Sequence, residues 1–184
     1  MTTHAAPIDM PAQAVPTDAV DLLVQQHRRL ETLLAGLVEE ASPEQRSTRL
    51  KRAGDELAMH LAAEEQVFYP AVHAERTEDI LLESLEEHLS LKRLLADLLA
   101  LSPDDTTFTP KCKVLREQVE HHHREEEEHL FPQVLKLLSA ARREQLGLQM
   151  LQQQATLQRA GQPRELVAAQ TEAAEPLTPV PLVN

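Results

Sequence analysis

Cysteine is almost missing from this chain. Cys112 stands alone in 184 residues, which excludes an internal disulfide framework and any thiolate cluster for zinc or iron–sulfur chemistry. Tryptophan is absent and glycine occurs four times, so little interrupts a helix-forming composition. No stretch offers the roughly 20 consecutive apolar residues of a membrane span. The first twenty residues carry Pro7, Pro11 and Pro16 without a continuous apolar core, so no secretory signal is expected and the cytoplasm is the expected compartment. Positive charge is short as well, with 18 Lys and Arg against 30 Asp and Glu and a net charge of -12. A chain of that sign is not expected to bind nucleic acid or to dock on an anionic membrane.

What remains is rich in leucine, alanine, glutamate, glutamine and arginine, patterned at the 3.6-residue helical period. Val20, Leu23, Val24, His27, Leu30, Leu34 and Leu37 form one stripe, and Thr17 or Asp18 can cap the helix that carries it to about Glu40. Ser42-Pro43 pairs a cap with proline at the first helical position, opening a second helix to about Pro70. Thr77 starts a third that ends near Leu101, and a fourth runs from about Pro110 to Ser139. The predicted fold is all-α, an up-down four-helix bundle over residues 18–140. A flexible arm (1–17) precedes it. An additional helix (141–161), which Ser139 can cap, and a disordered, proline-containing tail (162–184) follow.

The chain repeats itself at a spacing of about 61 to 62 residues. His27 aligns with His88, His60 with His122, Glu64 with Glu126 and Pro70 with Pro132. Leucine matches arise freely between amphipathic helices, but histidine, glutamate and proline matches do not. Each half therefore reads His, then His-x-x-x-Glu about 33 residues later, and residues four apart share a helix face. The face is apolar: Ala53, Leu57, Val67 and Phe68 flank His60, while Leu115, Val119 and Leu130 flank His122. At 1.5 Å per residue, His27, His88 and His122 lie about 20 Å from their nearest turn and His60 about 26 Å. All four thus meet near mid-height. Four imidazoles and two carboxylates inside a bundle are costly unless a cation pairs with them. They are too many for one tetrahedral zinc. Shared between two ions with bridging carboxylates, they suit iron, with manganese the rival.

The order His27 … His60-x-x-x-Glu64 … His88 … His122-x-x-x-Glu126, trailed by Glu64-Glu65-Gln66-Val67-Phe68-Tyr69-Pro70 and Glu126-Glu127-Glu128-His129-Leu130-Phe131-Pro132, resembles the hemerythrin-type HHE cation-binding domain family over about residues 20 to 140. The resemblance implies a non-haem di-iron site with those six residues as ligands. It also implies a protein that binds or reacts with dioxygen, hydrogen peroxide or nitric oxide, in oxidative or nitrosative stress or in sensing. Peroxide- or nitric-oxide-consuming turnover is one form this takes. The alternatives are a non-catalytic iron or oxygen sensor or store acting through a protein partner or homodimer, and an iron donor for metal-centre repair. Where oxygen-carrying members place a further histidine and an aspartate, this chain has Ser84 and Glu127, which weakens reversible oxygen carriage. Ser84, Glu127, Tyr69 and His129 are expected beside the ligands. His129, seven residues past His122, is read as inward-facing. His121 and His123, about 100° to either side of His122, are read as supporting or solvent-facing.

Overall fold

The computed structural model describes residues 17–74 and 76–177, so the expected N-terminal arm falls outside the described residues except for Thr17. Every regular element among them is helical. Asp18 caps α1 (Ala19–Glu39) by accepting from the Val20 N–H at 3.0 Å. Ser42 caps α2 (Pro43–Ala63), with proline in its first turn. A π turn, Glu64–Phe68, joins α2 without a break to the short α3 (Tyr69–Val72). The Thr77 hydroxyl, fully buried, donates to the Val72 carbonyl at 2.8 Å and closes the connection to α4 (Glu78–Ala100). Then come α5 (Phe108–Glu125), a second π turn (Glu126–Leu130) and α6 (Phe131–Leu137), again one continuous rod. Alpha1, the α2–α3 rod, α4 and the α5–α6 rod make up the up-down bundle.

The two π turns are the first feature the heptad-like pattern does not announce. In each, an N–H bonds five residues back: Tyr69 to the Glu64 carbonyl and Phe131 to the Glu126 carbonyl. Each turn adds one residue to the helix, retarding everything beyond it by about 100°. Each also places a proline, Pro70 or Pro132, where the regular ladder has already been interrupted and its missing N–H costs least.

The register change corrects one expectation. His129 does not face inward. Its side chain is 56% exposed and pairs with Glu125 at 3.3 Å, while Leu130, one residue later, takes the core position and is fully buried. In the first half Phe68, not Val67, fills the same place.

Ser139 caps α7 (Ala140–Ala160), whose N–H at Arg142 it accepts at 3.3 Å. This helix packs across α1 and α2, tied by Arg143 to Asp18 at 2.8 Å. Gly147 in its middle is required: a Cβ there would come within 2.0 Å of the Thr17 carbonyl oxygen. Gly161, with φ 84°, ends the helix.

The tail expected to be disordered over 162–184 instead opens with α8 (Pro163–Ala168), while its residues 178–184 lie outside the described residues. Val167 is 3% exposed within the core, and Arg164 binds Asp55 on α2 at 2.7 Å. The Arg164 N–H also donates to Asp55 at 3.1 Å, and beyond the helix Arg93 of α4 donates to the Thr171 and Glu172 carbonyls, so a segment whose proline content suggested otherwise is held by several contacts.

Two apolar clusters fill the bundle. One gathers Leu30, Leu34, Leu57, Leu91, Leu95, Leu115 and their neighbours toward the end that holds the α1–α2 connection. The other gathers Leu22, Leu23, Phe68, Tyr69, Leu81, Phe131 and Val134 toward the opposite end, beneath α7. The histidines and glutamates singled out above lie between them. No described helix is long and apolar enough to cross a membrane.

Candidate metal centre

All six predicted ligand side chains meet in that intervening layer. His27, Glu64, His88 and Glu126 are 0% exposed, and His60 and His122 are 1% exposed. A seventh joins them. His123 is also 1% exposed, its ring stacked on His27 with centroids 3.8 Å apart and planes within 5°. Sequence reasoning set His123 aside because it lies about 100° from His122. Yet α5 is wedged between α1 and α4, so its inward face is wide. His122 turns to α4, donating to Glu87, and His123 turns to α1, where His27 and Glu31 lie. The signal was present in the stripe itself, since His123 is four residues past buried Val119 and eight past buried Leu115.

The nitrogens sort into two groups. His27, His60 and His123 bring one nitrogen each to within 4.8 Å of one another, and His88 and His122 do the same with Glu64. The carboxylates lie between the groups. Glu64 Oε2 is 3.3 Å from His60 Nε2 and 3.4 Å from His88 Nε2. Glu126 Oε2 is 3.3 Å from His27 Nε2 and 3.7 Å from His122 Nε2.

Every one of the five rings is oriented from behind. Nδ1–H donates from His27 to Glu127 (2.8 Å), from His88 to Glu65 (2.9 Å) and from His122 to Glu87 (2.8 Å). It donates from His60 to Gln26 (3.1 Å) and from His123 to Glu31 (3.5 Å). The four carboxylates only accept and so commit the proton to Nδ1, the Gln26 amide does the same where it presents its oxygen, and the Nε2 lone pair is left to face the interior. The supporting carboxylates are themselves anchored. Lys92, 4% exposed, donates to Glu65 at 2.6 Å, and Arg28 pairs with Glu127. The arrangement repeats across the halves: the residue after each buried glutamate, Glu65 or Glu127, supports a histidine of the other hairpin.

Tyr69 is fully buried and donates from its hydroxyl to Glu126 Oε1 at 2.9 Å, with His88 Nε2 3.0 Å away. Burial and the nearby carboxylates push its pKa well above the ordinary phenol value, so it is a neutral donor. Ser84 is buried beside it.

These atoms fit a cation better than they fit each other. His27 Nε2, His60 Nε2, His123 Nε2, Glu126 Oε2 and both Glu64 oxygens are buried with no hydrogen-bond partner, a group of atoms that ordinary protein interiors do not tolerate unpaired. His88 Nε2 and His122 Nε2 stand 2.9 Å apart. Since both rings donate through Nδ1, two lone pairs face one another there, and a positive charge resolves the contact. Electrostatics agree. Burial first, then Glu126, raises the Glu64 carboxyl well above its usual range. Burial opposes the charge on Glu126 too, but His122 and His27 outweigh it and hold that carboxyl well below. Burial drives His60 and His123 well below the ordinary imidazole value, so both stay neutral and able to ligate. Nitrogen and oxygen donors in this ratio, with no sulfur, constitute a metal-binding site.

Comparison with known proteins points the same way. The family model described as Hemerythrin HHE cation binding domain matches residues 18–169. A curated protein from a Nostoc species, described as a DNA nickase, is 28% identical over 125 residues, covering 68% of this chain and 36% of its own length. The chain thus spans about a third of that relative. No solved structure matches.

Proposed function

We propose that this chain, which belongs to the hemerythrin HHE cation-binding domain family, holds two iron ions and uses them on a small oxidant, O2, H2O2 or NO, in the cytoplasm. Manganese is the alternative metal. The observation that carries the reading is the group of buried, unpartnered nitrogens and carboxylate oxygens. His27, His60 and His123 would hold one ion and His88 and His122 the other, with Glu64 and Glu126 shared between them. When bound, such a pair supplies Lewis acidity and one-electron redox chemistry.

The protein's own part is positional. Five Nδ1–H donors fix the rings, and the two apolar clusters keep the layer away from bulk water. Two histidines against three leave the His88–His122 side less saturated with protein ligands. There Tyr69 holds a proton at the Glu126 oxygen, beside His88, able to hydrogen-bond a small oxygen-containing ligand. A non-catalytic sensor or store, acting through a protein partner or a second copy, is the second reading. The docking of α7 against the His60 side favours it, because that helix gives the site a mechanical link to the surface. Delivery of iron for metal-centre repair ranks third. Nicking activity is not carried over from the Nostoc relative, because a net charge of -12 opposes a phosphate-backbone partner.

The test is metal analysis and absorption spectroscopy of protein purified without added metal. About two irons per chain and near-ultraviolet bands that change on adding peroxide are expected. A His60→Ala, His122→Ala variant that kept both metal and spectrum would overturn the assignment. Steady-state loss of peroxide then separates turnover from sensing.

A further inference from the structure

His60 differs from the other four histidines in one respect: a neutral amide, not a carboxylate, stands behind it. Gln26 Oε1 accepts from His60 Nδ1 at 3.1 Å. An amide is a poor guarantor of a tautomer, because rotating it by about 180° would present an N–H₂ to the ring and push the imidazole proton to Nε2. Something must hold Gln26 the right way round.

That something comes from α7, outside the four bundle helices. Gln154 forms a reciprocal pair with Gln26: Gln26 Nε2 donates to Gln154 Oε1 at 3.0 Å, and Gln154 Nε2 donates to Gln26 Oε1 at 3.1 Å. A reciprocal pair alone could flip in concert. It is pinned by a third contact, from Gln154 Nε2 to the Met59 carbonyl at 3.4 Å. A backbone carbonyl only accepts, so Gln154 must present its nitrogen there. Gln26 must then present oxygen, and His60 must keep its proton on Nδ1.

We infer that Gln154 is a positioning residue for the metal centre, acting through Gln26 to keep the His60 Nε2 lone pair turned inward. The pair also borders solvent. Gln26, Met59 and Gln154 line both an open cleft of about 570 Å³ between α1, α2 and α7 and a cavity of about 30 Å³ that touches His60. Displacing α7 therefore reaches His60 through two glutamines, neither of which is itself a ligand.

The inference rests on the metal-centre reading for its importance but not for its test, which reads the ring directly. Long-range proton–nitrogen correlation spectra of the full chain, without added metal and at a pH well above imidazole titration, report the His60 tautomer. Wild type is expected to show the Nδ1–H form alone. Gln154→Met keeps side-chain length and helix propensity but frees the Gln26 amide. It is expected to give a mixture of tautomers and, with iron(II) added, about 10-fold weaker metal retention. Adding Gln26→Glu restores the single tautomer, because a carboxylate offers oxygen in either orientation. A pure Nδ1–H His60 in Gln154→Met, or no rescue by Gln26→Glu in a variant whose circular dichroism matches wild type, would overturn the assignment. If the tautomer responds as stated while no variant, wild type included, retains iron, the di-iron reading fails and the role of Gln154 stands.

Discussion

Replacing Lys92 by methionine isolates the energetic cost of the layer's supporting shell. Lys92 Nζ donates to Glu65 Oε2 at 2.6 Å, and the two side chains are 5% and 3% exposed. Methionine preserves most of the volume but strands a buried carboxylate. Breaking one partner of such a pair costs about 3–5 kcal/mol. Here the lower end applies, because Glu65 still accepts from His88 Nδ1 at 2.9 Å. Against a typical domain stability of about 5–15 kcal/mol, a loss of about 3 kcal/mol is large. With a urea dependence of about 2 kcal/mol per molar, it moves the unfolding midpoint down by about 1.5 M. Urea titration followed by circular dichroism measures this directly. The double variant Lys92→Met, Glu65→Gln removes both charges and keeps an acceptor for His88. It should return to within about 1 kcal/mol of wild type, since replacing a whole buried pair is close to neutral. A single variant within about 1 kcal/mol of wild type, or a double variant no better than the single, refutes the reasoning.

Three further outcomes follow from other parts of the molecule. Tyr69→Phe removes the donor to Glu126 Oε1 and should cost about 1–3 kcal/mol by leaving a buried oxygen unpaired; thermal unfolding that is unchanged speaks against the contact. Burial pushes the Cys112 thiol up to about 11, so native protein should resist a thiol reagent near neutral pH and react on addition of urea, with prompt labelling of the folded chain the contrary result. The sign of its pH effect follows from the same shift. Above the ordinary thiol value the unfolded chain ionises first, so this contribution to stability is kept at neutral pH and lost as pH rises toward about 11. Val167→Ala should cost about 2 kcal/mol, the worth of two buried methyl groups with their cavity. A neutral result would mean that α8 does not share the core.

The helices were legible because their ends are written in local chemistry: Asp18, Ser42 and Ser139 act as caps where the sequence placed them. The meeting of His27, His60, His88, His122, Glu64 and Glu126 was legible because ionisable side chains repeated along an apolar stripe are costly to bury unless they converge on a shared counter-charge. What stayed hidden depends on neighbours. His123 is buried because α5 faces two helices at once, a fact of bundle geometry that a single-helix projection omits. Each π turn begins at a buried glutamate, Glu64 or Glu126, and adds one residue to its rod, so an ideal 3.6-residue period misassigned His129. Gln26 and Gln154 are 128 residues apart, and nothing in either local pattern links them. Helix α8 was lost to its prolines, although Pro163 starts it.

The matched π turns carry one last consequence. Each acts as a phase offset in its rod, so the stretch from Phe68 onward and the stretch from Leu130 onward are rotated relative to the segments bearing His60 and His122. Closing either turn to a regular α turn with no residue removed would rotate Phe68 and Tyr69 in one rod, or Leu130 and Phe131 in the other, by about 100° away from the interior while His60 and His122 stayed in place. Excising one residue as the turn closes would instead keep those side chains inward, because eight residues through the widened turn and seven along a regular helix reach the same face. One-residue deletions within these turns should therefore leave the far cluster its aromatic rings, an indifference to length that an uninterrupted stretch of helix does not have.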